Sequence, residues 1–245
     1  MEGVRFLLCG DCALTVEFGN EISSEINSRV KWLFDSLCRK PVKGVRECVP
    51  TFRSLAVYYD PCVISFDKLE RKIKKRLDGM SDTAAQSARV IKIPVCYCEQ
   101  FGEDLAFVAK HAGMSTDEVI RLHSGTDYLI YMLGFLPGFA YLGGLDKRLV
   151  TPRLESPRTL IPQGSVGIGG EQTGIYPIAS PGGWQLIGRT PVRPYDAKRQ
   201  PPILYNAGDY IRFVPISLEE YSRIEALVKN GEYECEWEEL RGECV

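Results

Sequence analysis

From Asn20 to Pro41 the apolar residues Ile22, Ile26, Val30, Leu33, Phe34 and Leu37 return at intervals of three and four. That spacing lays them along one face of a helix, which Pro41 brings to an end. Phe66, Leu69, Ile73 and Leu77 predict a second helix. Its other face carries Arg71, Lys72, Lys74, Lys75 and Arg76, and a basic run at helical spacing is most simply a solvated face. Residues 4–18 alternate as one or two short strands do, and Val45–Val49 and Ser54–Tyr59 predict two more. Strands alternating with two helices make residues 1–80 an α+β N-terminal domain.

Residues 81–89 lie in a small, polar stretch without periodicity, GMSDTAAQSAR from Gly79, and are expected to be a linker. A second domain then spans 90–230. It opens on a strand, Val90–Cys98, followed by short helices over Leu105–Ala112 and Ser115–His123. Ser115 and Glu118 form a capping box at the start of the second. Tyr128–Leu133 is the next strand. Strands are also expected at Ile203–Tyr205 and Tyr210–Pro215, around the turn Asn206–Asp209. A last helix starts after Ser217, with Glu220 three residues on, and buries Tyr221, Ile224 and Leu227 or Val228. Residues 231–245 form an acidic, loose tail.

Between Gly134 and Pro194 the character changes. These residues hold 12 of the 23 glycines and 8 of the 15 prolines, so long helices give way to short strands and turns, as in a barrel or sandwich. The segment begins GFLPGFAYLGG, from Gly134 to Gly144. Glycine-rich and aromatic at once, it predicts a bent strand edge. On it Gly134, Phe135, Pro137, Gly138, Phe139 and Tyr141 wall a ligand face or a partner interface.

With 245 residues the chain has room for one large domain or two ordinary ones. A net charge of −2 gives no electrostatic reason to expect nucleic acid or an anionic membrane as a partner. No apolar run has the length of a membrane span, and Asp11 falls too early for a signal peptide, so the expected location is the cytoplasm. Nine cysteines include Cys9-x-x-Cys12, but Cys96-x-Cys98 is the wrong second half for a zinc site and there are only two histidines. No metal site is expected.

Candidate chemistry collects in the glycine-rich segment. Gly164–Gly170 and Pro181-Gly182-Gly183-Trp184 can bring backbone amides close to a ligand, as glycines do around an anion; they can equally be turns of a β-barrel. No lysine occurs between Lys147 and Lys198, so positive charge comes from Arg148, Arg153, Arg158, Arg189 and Arg193. Guanidiniums suit two-point grip on carboxylate or phosphate. Uncharged donors recur at Gln163, Ser165, Gln172, Thr173, Tyr176, Ser180 and Thr190. Arg189, between the tryptophan-bearing glycine turn and Pro191, is the prime catalytic candidate; its alternative is a brace to Glu155, Glu171 or Asp196. His123 is either a general base or a polar group at a helix boundary. No Gly-Lys-Ser/Thr follows Gly164–Gly170, and no Gly-x-Ser-x-Gly elbow exists. The residues alone therefore describe a rigid, arginine-bearing polar surface for a small anionic ligand, a partner protein, or both.

The stretches YLIYMLGFLPGFAYLGGLD, PQGSVGIGGEQTGIYP and SPGGWQLIGRTP, with TPR and SPR between them, resemble one family under several names. It is variously called allophanate hydrolase subunit 1, the sporulation-kinase inhibitor KipI and the B subunit of 5-oxoprolinase (PxpB). Gly10–Gly19 and Ile93–Tyr97 extend the resemblance over nearly the whole chain. It implies an α+β N-terminal domain followed by a cyclophilin-like β-barrel, without prolyl isomerase activity. It also implies a role in an ATP-dependent 5-oxoprolinase of several subunits, converting 5-oxo-L-proline to L-glutamate. The implied partners are a paralogous KipA- or PxpC-like protein and a PxpA-like protein, with ATP and Mg2+ shared with the partner. On this reading Arg189 and His123 serve catalysis. Arg153, Arg158, Gln163, Gly164, Ser165, Gly169, Gly170, Gln172, Thr173, Tyr176, Ser180, Gly182, Gly183, Trp184 and Thr190 bind substrate or nucleotide. The alternatives are a KipI-type inhibitor of a sporulation sensor histidine kinase and a carboxyltransferase-type protein acting on urea or allophanate. The absence of a biotinyl-lysine Met-Lys-Met sequence favours the oxoprolinase branch.

Overall fold

A computed structural model describes residues 3–80 and 88–240. The chain divides into two compact units, Met1–Gln86 and Ser87–Val245. Most of the expected linker, 81–87, and the last residues of the expected tail, 241–245, lie outside the described residues.

In the first unit, strands β1 (Arg5–Cys9), β2 (Ala13–Glu17), β3 (Val45–Pro50) and β4 (Ser54–Tyr59) pair antiparallel in the order β1-β2-β4-β3. Helices α1 (Ser24–Arg39) and α2 (Phe66–Leu77) supply the rest of the core. The strand period of two puts Leu14 and Val16 opposite Val57 and Leu55, all fully buried, and the helical period delivers Val30, Leu33, Leu69 and Ile73 to the same core. Ser23 caps α1, its hydroxyl accepting from the Ile26 amide at 3.1 Å.

The second unit opens on β5 (Arg89–Val95), then α3 (Leu105–Ala112) and α4 (Thr116–Ser124). Strands β6 (Asp127–Leu133) and β7 (Ala140–Gly143) form a hairpin. Short strands follow: β8 (Arg158–Ile161), β9 (Ser165–Gly169), β10 (Gln172–Ile175), β11 (Ser180–Gly182) and β12 (Gln185–Arg189). The chain ends with β13 (Tyr210–Pro215), α5 (Leu218–Asn230) and β14 (Trp237–Glu239). As expected, Ser115 and Ser217 cap α4 and α5 by accepting from the amides of Glu118 and Glu220.

Several expectations are corrected. The described strands of this unit form sheets ordered β14-β5-β13-β6-β7, β10-β9-β12 and β11-β8, and none closes into a barrel. Strands of three to five residues, with register shifts between Leu186 and Gly188 and between Ser180 and Gly182, do not sustain a continuous ladder. Gly134–Gly144 is the turn and return strand of the β6–β7 hairpin rather than one bent strand edge. Ile203–Tyr205 forms no strand; Ile203 makes only an isolated bridge to Tyr195. The tail is not wholly loose, because β14 pairs antiparallel with β5. No described helix is long and apolar enough to cross a membrane.

Candidate functional site

The glycines of β9 and β10 make room for one side chain. A Cβ on Gly169 would overlap the Trp184 indole, and one on Gly174 would lie 3.2 Å from its Cζ3. Trp184 thereby beds on the small sheet and anchors an aromatic cluster. Phe139 meets Tyr141, Tyr176 and Trp184 edge-on, with centroids 5.2, 6.1 and 5.8 Å apart. Gly138, at φ +78 and with Tyr195 N 3.1 Å from where a Cβ would stand, has to be glycine for the hairpin turn to close. At the tip, Phe135 is 69% exposed and held at φ +67, a left-handed conformation an aromatic residue rarely adopts. Its ring packs edge-on against Phe139, two residues from Pro137 and one from Gly134.

The amides of Gly164 and Gly170 are spent within the fold. Gly164 donates to Tyr176 O at 2.8 Å, Gly170 to Thr151 O at 2.8 Å, and Gly169 lies in the β9–β10 ladder. Gly183 does not sit at positive φ, and nothing lies nearer than 3.7 Å to where its Cβ would stand. Gly182 instead clears space for the Tyr176 hydroxyl.

The arginines separate into braces and free cations. Arg158 is a brace: its Nη2 donates to both oxygens of Asp104 at 2.9 Å, and its Nη1 to Trp184 O at 3.2 Å. Asp104 also accepts from the Leu186 amide, so the pair ties the start of α3 to β8 and β12. Arg158 therefore belongs to the fold rather than to a ligand. Replacing it by methionine is expected to lower stability by about 1–3 kcal/mol, because Asp104 loses its cation in a half-buried setting. Thermal unfolding tests this; unchanged melting with lost function would assign Arg158 to ligand binding after all. Arg153 is exposed and lies over the Trp184 ring at 6.0 Å.

Arg189 pairs with none of Glu155, Glu171 or Asp196, contrary to the bracing alternative; the Asp196 carboxylate lies 3.9 Å from Arg193. Its guanidinium instead stacks over Phe101 at 4.7 Å. Its Nε is buried and has no hydrogen-bond partner among the described residues, as is true of Ser165 Oγ and Ser180 Oγ. The remaining donors serve the fold. Gln163 Nε2 donates to Pro177 O at 2.7 Å, Thr173 Oγ1 to Gly167 O at 3.0 Å, and Thr190 Oγ1 accepts from the Val192 amide. Gln172 starts β10, half-buried.

His123 is no general base in this fold. It is fully buried, stacked on Phe213 at 4.5 Å. Thr173 Oγ1 already donates to Gly167 O, so it accepts from His123 Nε2–H at 2.8 Å, which leaves Nδ1 to accept from the Tyr97 hydroxyl at 2.8 Å. Burial pushes the imidazole pKa down to about 3. Among the described residues no group of three His, Cys, Asp or Glu side chains could hold a metal.

The structure thus assembles two neighbourhoods. One is the aromatic floor of Phe139, Tyr176 and Trp184 with Arg153 and the Phe135 tip; the other is Arg189 with Ser165. Phe101, Asp104 and Tyr221 also belong to these surroundings, and sequence reasoning missed them as site residues. Nothing in their local pattern places them beside Arg158 or Arg189, which lie far from them along the chain.

The family model described as carboxyltransferase domain, subdomain C and D, matches residues 4–205. The B subunit of 5-oxoprolinase from Bacillus subtilis (strain 168) is 45% identical over 222 residues, covering 86% of this chain and 92% of that protein. Its counterpart in Escherichia coli O157:H7, of the same name, is 42% identical, covering 88% of this chain and 97% of its own length. Among solved structures, TTHA0988 aligns with a TM-score of 0.75 at 38% identity over 84% of this chain, which spans 40% of that longer one.

Proposed function

The chain belongs to the carboxyltransferase subdomain C and D family, and from that premise we propose that it is the B subunit of an ATP-dependent 5-oxoprolinase. The observation that carries the proposal is 45% identity to the B subunit of a 5-oxoprolinase, over 92% of that protein's length. In this reading the chain acts with PxpC-like and PxpA-like partners on 5-oxoproline and ATP, and its C-terminal unit is of cyclophilin-like descent.

The chemistry accounts for the need of partners. A lactam carbonyl is a poor electrophile, and phosphorylation of its oxygen by ATP prepares the ring carbon for attack by water. Such steps ask for positioning and charge neutralisation more than for a nucleophile of the protein. The described residues offer cations at Arg153 and Arg189, while His123 is enclosed in the core and is not available as a base. Among the described residues no three carboxylates come together, so Mg2+ would be held chiefly by the ATP phosphates and shared with the partner. The exposed Phe135 tip, held in its unfavourable conformation, fits a surface for the PxpC-like partner, where burial would recover the exposed ring.

The test is co-purification with the PxpA-like and PxpC-like partners followed by an assay of 5-oxoproline-dependent ADP release. The assembled complex is expected to turn over, and the isolated chain to be inactive. Robust ring opening by the chain alone, or a complex that consumes ATP only with urea, would overturn the reading. Inhibition of a sensor histidine kinase by a chain that binds neither partner would replace it with the regulatory one.

A further inference from the structure

Arg189 and Ser165 are directly opposed in the β12–β9 pairing. The Arg189 amide and carbonyl both bond to Cys96, at 3.0 and 2.9 Å, so the Arg189–Ser165 pair is of the non-hydrogen-bonded kind. In such pairs the side chains stand on one face of the sheet at their closest approach. Both present a polar atom there without a partner among the described residues: Ser165 Oγ, on a residue with no exposed surface, and Arg189 Nε. A donor cut off from water and left unbonded is costly, and two at directly paired positions call for a common explanation.

The guanidinium has no carboxylate partner, yet it is not loose. It lies over the Phe101 ring, 4.7 Å from its centroid, and Phe101 packs against Tyr221 at 4.5 Å. A cleft lined by Gln163, Thr190, Arg193, Tyr221, Glu225 and Lys229 opens nearby; Arg189 and Ser165 do not line it themselves, and it meets them only through Tyr221 and through Thr190, the residue after Arg189. A fixed, unpaired, partly desolvated guanidinium beside an orphaned hydroxyl is what an oxyanion needs: a charged donor in a set plane and a second neutral donor.

We propose that Arg189 and Ser165 form an oxyanion subsite, in which one oxygen of a carboxylate or phosphoryl group accepts from Arg189 Nε–H and from the Ser165 hydroxyl, with Phe101 holding the guanidinium in plane. The geometry carries this subsite; only the choice of 5-oxoproline as the first probe rests on the function proposed above.

The experiment follows the Arg189 Nε–H resonance by NMR in the full chain, assigned by its loss in Arg189→Lys, during titration with 5-oxoproline, 2-pyrrolidinone, acetate and inorganic phosphate. KM for 5-oxoproline and for ATP is measured in parallel on the assembled complex. A carboxylate subsite predicts a saturable shift with 5-oxoproline that 2-pyrrolidinone, the same lactam without the carboxylate, does not produce. A phosphoryl subsite predicts the shift with phosphate instead and a raised KM for ATP. In either case Arg189→Lys weakens binding about 10- to 100-fold, the worth of a charge-assisted bond, and Ser165→Ala about 2- to 10-fold, with melting close to wild type. A resonance unmoved by every anion, together with wild-type KM values in folded Arg189→Lys complex, overturns the proposal and leaves a buried water as the occupant. Should the complex fail to turn over 5-oxoproline at all, the proposed function falls, while the acetate and phosphate titrations still decide the subsite.

Discussion

Gly164→Ala is expected to destabilise the protein by about 2–5 kcal/mol, a large share of the roughly 5–15 kcal/mol that holds an ordinary domain together. Two causes add. Gly164 sits at φ +81, where an L-residue is strained, and its Cβ would run into the Thr190 carbonyl oxygen. Neither backbone can move aside cheaply. Thr190 N donates to Gly164 O at 2.9 Å while Gly164 N donates to Tyr176 O at 2.8 Å, so a shift at residue 164 breaks the joint between three segments. Gly183→Ala is the matched control. Away from positive φ and with 3.7 Å to its nearest neighbour, its change should stay within about 0.5 kcal/mol. Urea unfolding of both variants checks the contrast. Equal stabilities would show that the β9–β12 joint yields more easily than its hydrogen bonds imply.

His123 makes stability depend on pH in a defined direction. Its pKa in the folded chain is about 3, below the ordinary value of about 6.5, because burial penalises the charged imidazolium. The unfolded chain protonates it first as pH falls. The contribution is therefore fully present above about pH 6.5 and is lost progressively between there and about pH 3. The slope approaches about 1.4 kcal/mol per pH unit, so moving from about pH 7.5 to about pH 5 should remove roughly 2 kcal/mol through this group. His123→Gln should be less stable at neutral pH, by about 2–4 kcal/mol for two disturbed buried hydrogen bonds and lost stacking, and should lack this part of the acid sensitivity. Urea unfolding of wild type and variant at both pH values isolates the difference. Parallel losses in the two proteins would mean that other groups carry the acid response.

The sequence pattern and the tertiary fold divide the explanation unevenly. Helices α1, α2, α4 and α5 were legible because their information is local: apolar residues one turn apart and, in α4 and α5, a serine whose hydroxyl reaches an amide three residues ahead. Strand β4 was legible for the same reason, with period-two burial written into adjacent residues, whereas β2 is buried on both faces. Ile203–Tyr205 failed because three apolar residues fix no period, and the tail failed because β14 is an exposed edge strand with no apolar signature, held by pairing with β5.

By itself the sequence determined the order of the helices, the α+β character of the first unit and the concentration of glycine, arginine and aromatic residues in one segment. Its motifs also carried the family. What each polar residue in that segment does was decided only in three dimensions. Arg158 and Arg189 look alike in sequence, yet one faces Asp104 from 54 residues away and the other faces an aromatic ring and an orphaned hydroxyl. His123 could be a base or a structural group until Tyr97 and Thr173, 26 and 50 residues distant, closed around it. Periodicity follows from bond geometry along a few residues. Burial, pairing and desolvation depend on which distant side chain arrives alongside, and these determine whether a charge is a brace or a free hand for a ligand.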